Sequence, residues 1–281
     1  VGLGPMHEAY PGRVIDVGIA EAEAVASAAG MAYQGAHPVV ALYATFLNRG
    51  FDQLLMDVAL HRAGVTFVLD RAGVTGADGA SHNGVWDIAM CSLIPGLRLA
   101  APRDEQTLRA RLREALDVDD APTVIRYRKG SLPEPMPALR SVGRVDILFD
   151  EAVADSRARV LIVGTGACAP DAIEAARRLS ADGVSVTVAD PQWMIPICPD
   201  LATLARDYDC VVSVEDGIVQ GGFGWSLRDA VAETGVPVRC LGVPQGFPEH
   251  GDRAAMIAQF GFDADGIERA ARELVERIGE R

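Results

Sequence analysis

Along the chain, short runs of apolar residues alternate with longer amphipathic ones, and this pattern predicts the elements. RVIDVG predicts a strand that leads into a helix through the alanine-rich stretch ending at Gly35. HPVVALYATFL predicts a second strand, FDQLLMDVALHRAG a helix, VTFVLD a strand and, after a polar loop, VWDIAMCSL a short helix. LRLAAP follows as a strand. DEQTLRARLREAL has an acidic first turn and apolar residues at helical spacing, and TVIRYRKG closes the series as a strand. Strands and helices alternating at this length predict a parallel sheet with helices on both faces.

The periodicity stops at SLPEPMPALRSVGRV, whose prolines and lack of period predict a linker. A second series then runs through RVLIVG, a helix from Pro170 to Ala181, VSVTVAD, a helix near LATLARDY, CVVSVED, a helix after GGFGWS, VPVRCLG and two closing helices. The expected fold class is therefore α/β, with two domains that are each a mostly parallel sheet flanked by helices. Their expected extents are residues 1–130 and 145–281, with the linker over 131–144. A chain of 281 residues accommodates two cores of ordinary size.

Charge narrows the possible partners. A net charge of -13 without clustered Lys or Arg argues against nucleic acid. Cys91, Cys168, Cys198, Cys210 and Cys240 are widely spaced and mostly in apolar segments, which predicts reduced core residues in a cytoplasmic protein. Neither CxxC nor HExxH occurs, so no metal site built from the chain's own side chains is expected. No apolar run has the length of a membrane span and no signal-peptide pattern opens the chain, so no membrane partner is expected.

The candidate chemistry lies in loops that leave the carboxyl ends of predicted strands, where open α/β sheets bind ligands. Glu21 sits in apolar context in a helix's first turn, so it is either a dipole-compensating charge or a partly buried carboxylate that needs a partner. Tyr43 and Phe46 are core residues or, with Arg49 and Gln53 nearby, a platform for a flat heteroaromatic ring. In DRAGVTGADGASHNG, residues 70–84, Arg71, Asp78 and His82 are either turn chemistry or ligand groups. Arg126, Arg128 and Lys129 alternate sides at a strand end, so that one side of it is expected to face Arg71, and two cations converging at strand carboxyl ends suggest a phosphate or carboxylate ligand. GTGA at Gly164 is a weak dinucleotide-loop match.

Together, DVGIAEAEAV, ALYATFLNRGFDQ, LDRAGVTGADGASHNGVWD, IPGLRLAAPRDE, IRYRKG and VSVEDGIVQGGFGW resemble the 1-deoxy-D-xylulose-5-phosphate synthases, thiamine-diphosphate enzymes of the transketolase superfamily. The resemblance covers essentially the whole chain in order. It implies the aminopyrimidine-binding and C-terminal domains only, the first of them lacking its initial strand. The GDG motif and following Asn of the diphosphate domain, which holds Mg²⁺, have no counterpart here.

By resemblance, Glu21 is the carboxylate that hydrogen-bonds the aminopyrimidine, and Glu21 and His82 are the catalytic residues. Phe46 and Arg49 join Glu21 in binding thiamine diphosphate. Tyr43, Arg71, Asp78, His82 and Lys129 bind the substrate, with Arg71 and Lys129 on its phosphate. The implied reaction condenses pyruvate with glyceraldehyde 3-phosphate with loss of CO₂, in a homodimer that is inactive without the diphosphate-binding domain. Two positions depart from the family pattern. Ala22-Glu23 replaces Gln-His, placing a second negative charge beside Glu21, and Tyr127-Arg128-Lys129-Gly130 replaces YPRG, which keeps the charge but not the bidentate geometry. A β-subunit of a 2-oxo-acid dehydrogenase and a non-catalytic paralogue with a dimer-contact role are the alternatives. The DRAG-to-SHNG loop and the paired cations favour the synthase.

Overall fold

The computed structural model describes residues 2–131 and 133–280, so Leu132 of the expected linker lies outside the described residues, as do Val1 and Arg281. The first sheet has four parallel strands in the order β1-β2-β4-β3: β1 Val39–Tyr43, β2 Thr66–Asp70, β3 Arg98–Ala100 and β4 Thr123–Arg126. Its central strands read as apolar runs because both faces are covered. Phe67 and Leu69 on β2 and Val124 on β4 are fully buried, each worth about 1.5–3 kcal/mol for a large side chain.

The helices obey the signals in the sequence. Glu21–Tyr33, a helix preceded by the exposed helix Gly4–Ala9, buries Val25, Ala28 and Ala29. A helical stretch over 44–59 follows β1 and passes from a 3₁₀ turn into a wide π-helical segment, Leu54–Ala59. Asp87–Ser92 is the short helix after the polar loop. Glu105–Leu116 starts at a capping box, in which Asp104 accepts from Thr107 N at 2.8 Å and the Thr107 hydroxyl accepts from Asp104 N at 3.1 Å. The expected strand RVIDVG does not form. Residues 13–19 carry no strand, and Ile15 and Ile19 are exposed, because no neighbouring strand offers them a ladder.

The second sheet has six strands in the order β10-β9-β7-β8-β6-β5. These are β5 Arg140–Val142, β6 Val145–Glu151, β7 Arg159–Gly164, β8 Ser185–Pro191, β9 Cys210–Ile218 and β10 Val238–Val243. Strands β7 to β10 form a parallel set, whereas β5 and β6 form an antiparallel edge that the sequence pattern did not predict. VDILFDE lacks a clean alternation because its first four residues are all buried. The second half of the expected linker is thus built into this sheet through β5. Ala169–Ala181 and Ala264–Gly279 cover one face, packing small alanines against each other.

The two sheets share a core. Buried side chains run without a break from Phe67 and Leu69 through Leu97, Leu99 and Met194 to Ile147, Leu161 and Val163. Backbone bonds join them as well, with Leu99 N donating to Ile195 O at 3.0 Å and Met194 N to Leu99 O at 2.7 Å. The carboxyl ends of both sheets therefore face a common junction.

Candidate active site

Parallel pairing sets the site. Tyr43 at the end of β1 pairs with Asp70 at the end of β2, and Leu69 pairs with Arg126 at the end of β4, so the loops after these strands leave side by side. Glu21, Tyr43, Phe46, Arg49, Arg71, Asp78, His82 and Lys129, the residues assigned by resemblance, lie around these loops. Glu21, in the first turn of its helix, is buried at 8% exposure and faces Arg49, whose Nη1 approaches its two carboxylate oxygens at 3.3 and 3.4 Å. Those long contacts leave the oxygens able to accept a shorter hydrogen bond from a ligand. Arg49 also lies 4.8 Å over the Phe46 ring.

Phe46 is the hub of an aromatic set. Tyr43 lies nearly parallel to it at 5.9 Å, and His82 meets it edge-on at 5.5 Å. Ser81 anchors this arrangement, since its carbonyl accepts from Thr45 Oγ1 at 3.0 Å and its hydroxyl lies 2.8 Å from His82 Nδ1. On the other side of Tyr43, the Arg71 guanidinium sits 3.9 Å over the ring. Arg71 has φ +60°, a left-handed conformation that costs a non-glycine residue about 1–2 kcal/mol, and its buried Nη1 has no hydrogen-bond partner among the described residues. An unpaired guanidinium donor is able to engage an anion.

Lys129 donates to both oxygens of Asp78 at 2.7 and 2.9 Å. That hydrogen bond, helped by the positive charges of Lys129 and Arg71, holds the Asp78 carboxyl below the ordinary carboxylate range. The two cations thus differ in state: Lys129 is neutralised within the chain, whereas Arg71 keeps a free donor. Glu23 is exposed and accepts from Ser27 Oγ at 2.9 Å. Residues two apart on a helix point to different sides, so the expected second charge beside Glu21 lies in solvent instead.

One expectation changes. Arg126 is not a ligand cation: it is 5% exposed and makes a bidentate pair with Asp87 at 2.7 and 3.1 Å, with a further bond from Nη2 to Asp216 O at 2.8 Å. The glycines of residues 70–84 give room for groups of the second half of the chain. Gly73 and Gly79 both have positive φ, and a Cβ at Gly73 would enter the Asp216 carboxylate while one at Gly79 would come within 2.5 Å of the His250 ring. The loop is glycine-rich because the second sheet's loops pack onto its backbone.

Asn83, fully buried, closes that contact by accepting from Thr75 N at 2.8 Å and donating to Gly79 O and Pro248 O. Asp216 accepts from Val74 N at 2.8 Å and from Arg253 Nη2 at 2.7 Å. A second buried group joins the sheets where Arg103 Nη1 donates to Asp146 at 2.8 Å and to Asp190 at 2.9 Å. Burial pushes Asp190 up to about 6, although Arg103 opposes it. Burial likewise pushes Glu215 up to about 7, while its carboxylate accepts from Phe223 N and Gly224 N at the start of the helix Phe223–Ala230. Single-sequence reading missed these groups, because Asp87, Asp190 and Asp216 stand in segments that look like ordinary strand ends and helix starts.

Comparison with known proteins assigns the two halves. Residues 3–135 match the transketolase pyrimidine-binding domain and residues 151–267 the transketolase C-terminal domain. The chain is 52% identical over 279 residues to 1-deoxy-D-xylulose-5-phosphate synthase 2 of Kitasatospora griseola, covering 98% of this chain and 44% of that protein. It is 51% identical over 271 residues to the 1-deoxy-D-xylulose-5-phosphate synthase of Corynebacterium glutamicum, covering 95% of this chain and 43% of that protein. The chain therefore spans under half the length of these curated relatives. Among solved structures it resembles a split-gene transketolase in an inactive beta4 tetramer, with TM-score 0.81, 27% identity and coverage of 96% of this chain and 86% of that one. Transketolase from Leishmania mexicana shares the fold, with TM-score 0.75, 22% identity and coverage of 93% of this chain and 38% of that one.

Proposed function

The chain belongs to the transketolase family, and from that premise we propose that it is the aminopyrimidine-binding and C-terminal part of a 1-deoxy-D-xylulose-5-phosphate synthase. The whole enzyme condenses pyruvate with glyceraldehyde 3-phosphate with loss of CO₂. The observation that carries this reading is the convergence of Glu21, Phe46 and Arg49 at one end of the rim with Arg71 at the other, its buried Nη1 unpaired. The identity of about half to named synthases over nearly the whole chain supports it.

The residues fit thiamine diphosphate by their chemistry. A buried carboxylate with unsaturated oxygens suits a ring nitrogen that must donate, and a half-buried phenylalanine face suits a flat heteroaromatic ring. When bound, the cofactor supplies the nucleophilic carbon that attacks a 2-oxo acid. Glu21 holds the proton at the aminopyrimidine nitrogen, Phe46 stacks on that ring and Arg49 keeps Glu21 oriented. Arg71 takes the acceptor's phosphate, with Lys129 joining as Asp78 yields. Tyr43 and His82 line the space between, where His82 is positioned for proton transfer to the acceptor. Mg²⁺ and the diphosphate belong to a diphosphate-binding domain, which neither family match contains, so activity requires that domain and a homodimeric assembly is expected. The domain extents 1–130 and 145–281 belong to the same proposal.

Supply of that domain by a separate chain is a second reading, favoured by the 86% coverage of the split-gene transketolase chain. One assay addresses both. This chain is mixed with thiamine diphosphate, Mg²⁺ and a diphosphate-domain protein from a synthase, and pyruvate decarboxylation is followed with and without glyceraldehyde 3-phosphate. The expected result is acceptor-dependent CO₂ release that falls at least about 100-fold in Glu21→Gln. Turnover that ignores the acceptor overturns the synthase reading.

A further inference from the structure

The loops after β2 and β4 form a wall with two sides. Arg71 and Lys129 belong to the candidate site on one side. Their neighbours Ala72 and Arg128 line a separate cavity of about 270 Å³ on the other, at the junction of the two sheets. This volume is just below the range of about 300–1,000 Å³ usual for sites of drug-sized ligands, which suits a smaller molecule. Ala101 and Ala167 supply apolar lining, and Tyr127 adds a half-buried ring.

The charges in this cavity are unevenly satisfied. Of its carboxylates, Asp104 accepts from Thr107 N and Met136 N, and Asp216 accepts from Val74 N and Arg253. Every one of those oxygens is engaged. Arg126 is held by Asp87 and Asp216 O. Arg103, 5% exposed, uses Nε on Met136 O and Nη1 on two carboxylates, while its Nη2 donates to nothing among the described residues. Arg128 is half-buried and makes no ion pair or hydrogen bond among the described residues. Free guanidinium donors beside saturated carboxylates and small apolar walls suit an anion with a compact body.

We propose that this cavity is a second anion site, distinct from the acceptor site, which takes a small organic anion by its phosphate or carboxylate through Arg128 and Nη2 of Arg103. A ligand there presses on the backbone of Ala72 and Tyr127, one residue removed from Arg71 and two from Lys129. The site is thereby placed to act as an effector site for the rim behind it.

The test uses the whole chain labelled with ¹⁵N-arginine, titrated separately with inorganic phosphate and with acetate while the arginine side-chain resonances are followed. Saturable shifts at Arg128 and Arg103 are expected, from phosphate, acetate or both, and the effective probe identifies the group that the site takes. Arg128→Ala and Arg128→Pro weaken this binding about tenfold, and Ala167→Leu, which fills the cavity, abolishes it with the thermal melt unchanged. Arg71→Ala leaves it intact. Shifts that never saturate, meaning an adventitious ion only, overturn the site, as do shifts lost in Arg71→Ala or insensitive to both Arg128→Ala and Ala167→Leu. The decarboxylation assay does not enter this result, so the two readings fail separately.

Discussion

Two groups of arginines and aspartates meet near the carboxyl ends of the first sheet's strands, one on the rim of that sheet and one where it joins the second sheet, and they are wired differently. At the domain junction, Arg126 is bidentate to Asp87, Arg253 holds Asp216 and Arg103 holds two carboxylates, all with partners drawn from this chain. On the rim, the carboxylate that Arg71 reaches among the described residues is Asp70, at 4.0 Å, and its buried Nη1 has no hydrogen-bond partner among them. The junction charges fix how the sheets meet, because a buried charge is tolerated only when its partner is built in. Arg71 has a left-handed backbone and no such partner among the described residues, which is the contrast behind its proposed role as an anion-binding group.

Breaking the junction gives the largest effect. Asp87→Ala leaves the buried Arg126 uncompensated, and denaturant unfolding is expected to show a loss of about 3–5 kcal/mol. Acid tests the same region more gently. Asp190, raised by burial to about 6, binds its proton more readily folded than unfolded, so its contribution to stability falls as pH rises from about 4 to about 6 and is flat above that. The stability difference between wild type and Asp190→Asn should change by up to about 3 kcal/mol across that window, with the variant gaining relative to wild type toward neutral pH. A difference that is flat with pH contradicts this.

On the rim, Arg71→Ala is expected to leave the melting temperature nearly unchanged, because the side chain has no ion pair of good geometry to lose. The assembled enzyme should lose about 1.5–3 kcal/mol of acceptor binding, roughly a 10- to 100-fold rise in KM for the phosphorylated acceptor. A large stability loss in Arg71→Ala would place it with the junction charges. The smallest effect is expected at Glu23. Its carboxylate lies in solvent on Ser27, so Glu23→Gln should change unfolding free energy by less than about 0.5 kcal/mol and leave acceptor KM unmoved.

Much of the fold was legible. β2, β4, β7 and β9 are continuous apolar runs because both faces of a parallel sheet are covered, and the helix Glu105–Leu116 announces itself through its Asp104 cap. β5 and β6 were not, since an antiparallel edge folded back onto β8 depends on a partner far away in the sequence. The candidate residues Arg71, Asp78, His82 and Lys129 stood out in the sequence because they follow the runs that become β2 and β4. Their individual states did not. Arg126, Arg128 and Lys129 look alike in IRYRKG, yet one is locked to Asp87, one lines the junction cavity and one grips Asp78.

The sequence by itself determined the two α/β series, the loops at their strand ends and the polar residue types gathered in them, because periodicity and apolar runs are local properties. Only the tertiary structure decided which charges are neutralised and why the loop of residues 70–84 is rich in glycine. Pairing is settled by groups 37 to 142 residues apart, such as Arg126 with Asp87, Arg253 with Asp216 and Val74 with Asp216. Electrostatic and steric contacts act over a few ångströms of space whatever their separation along the chain.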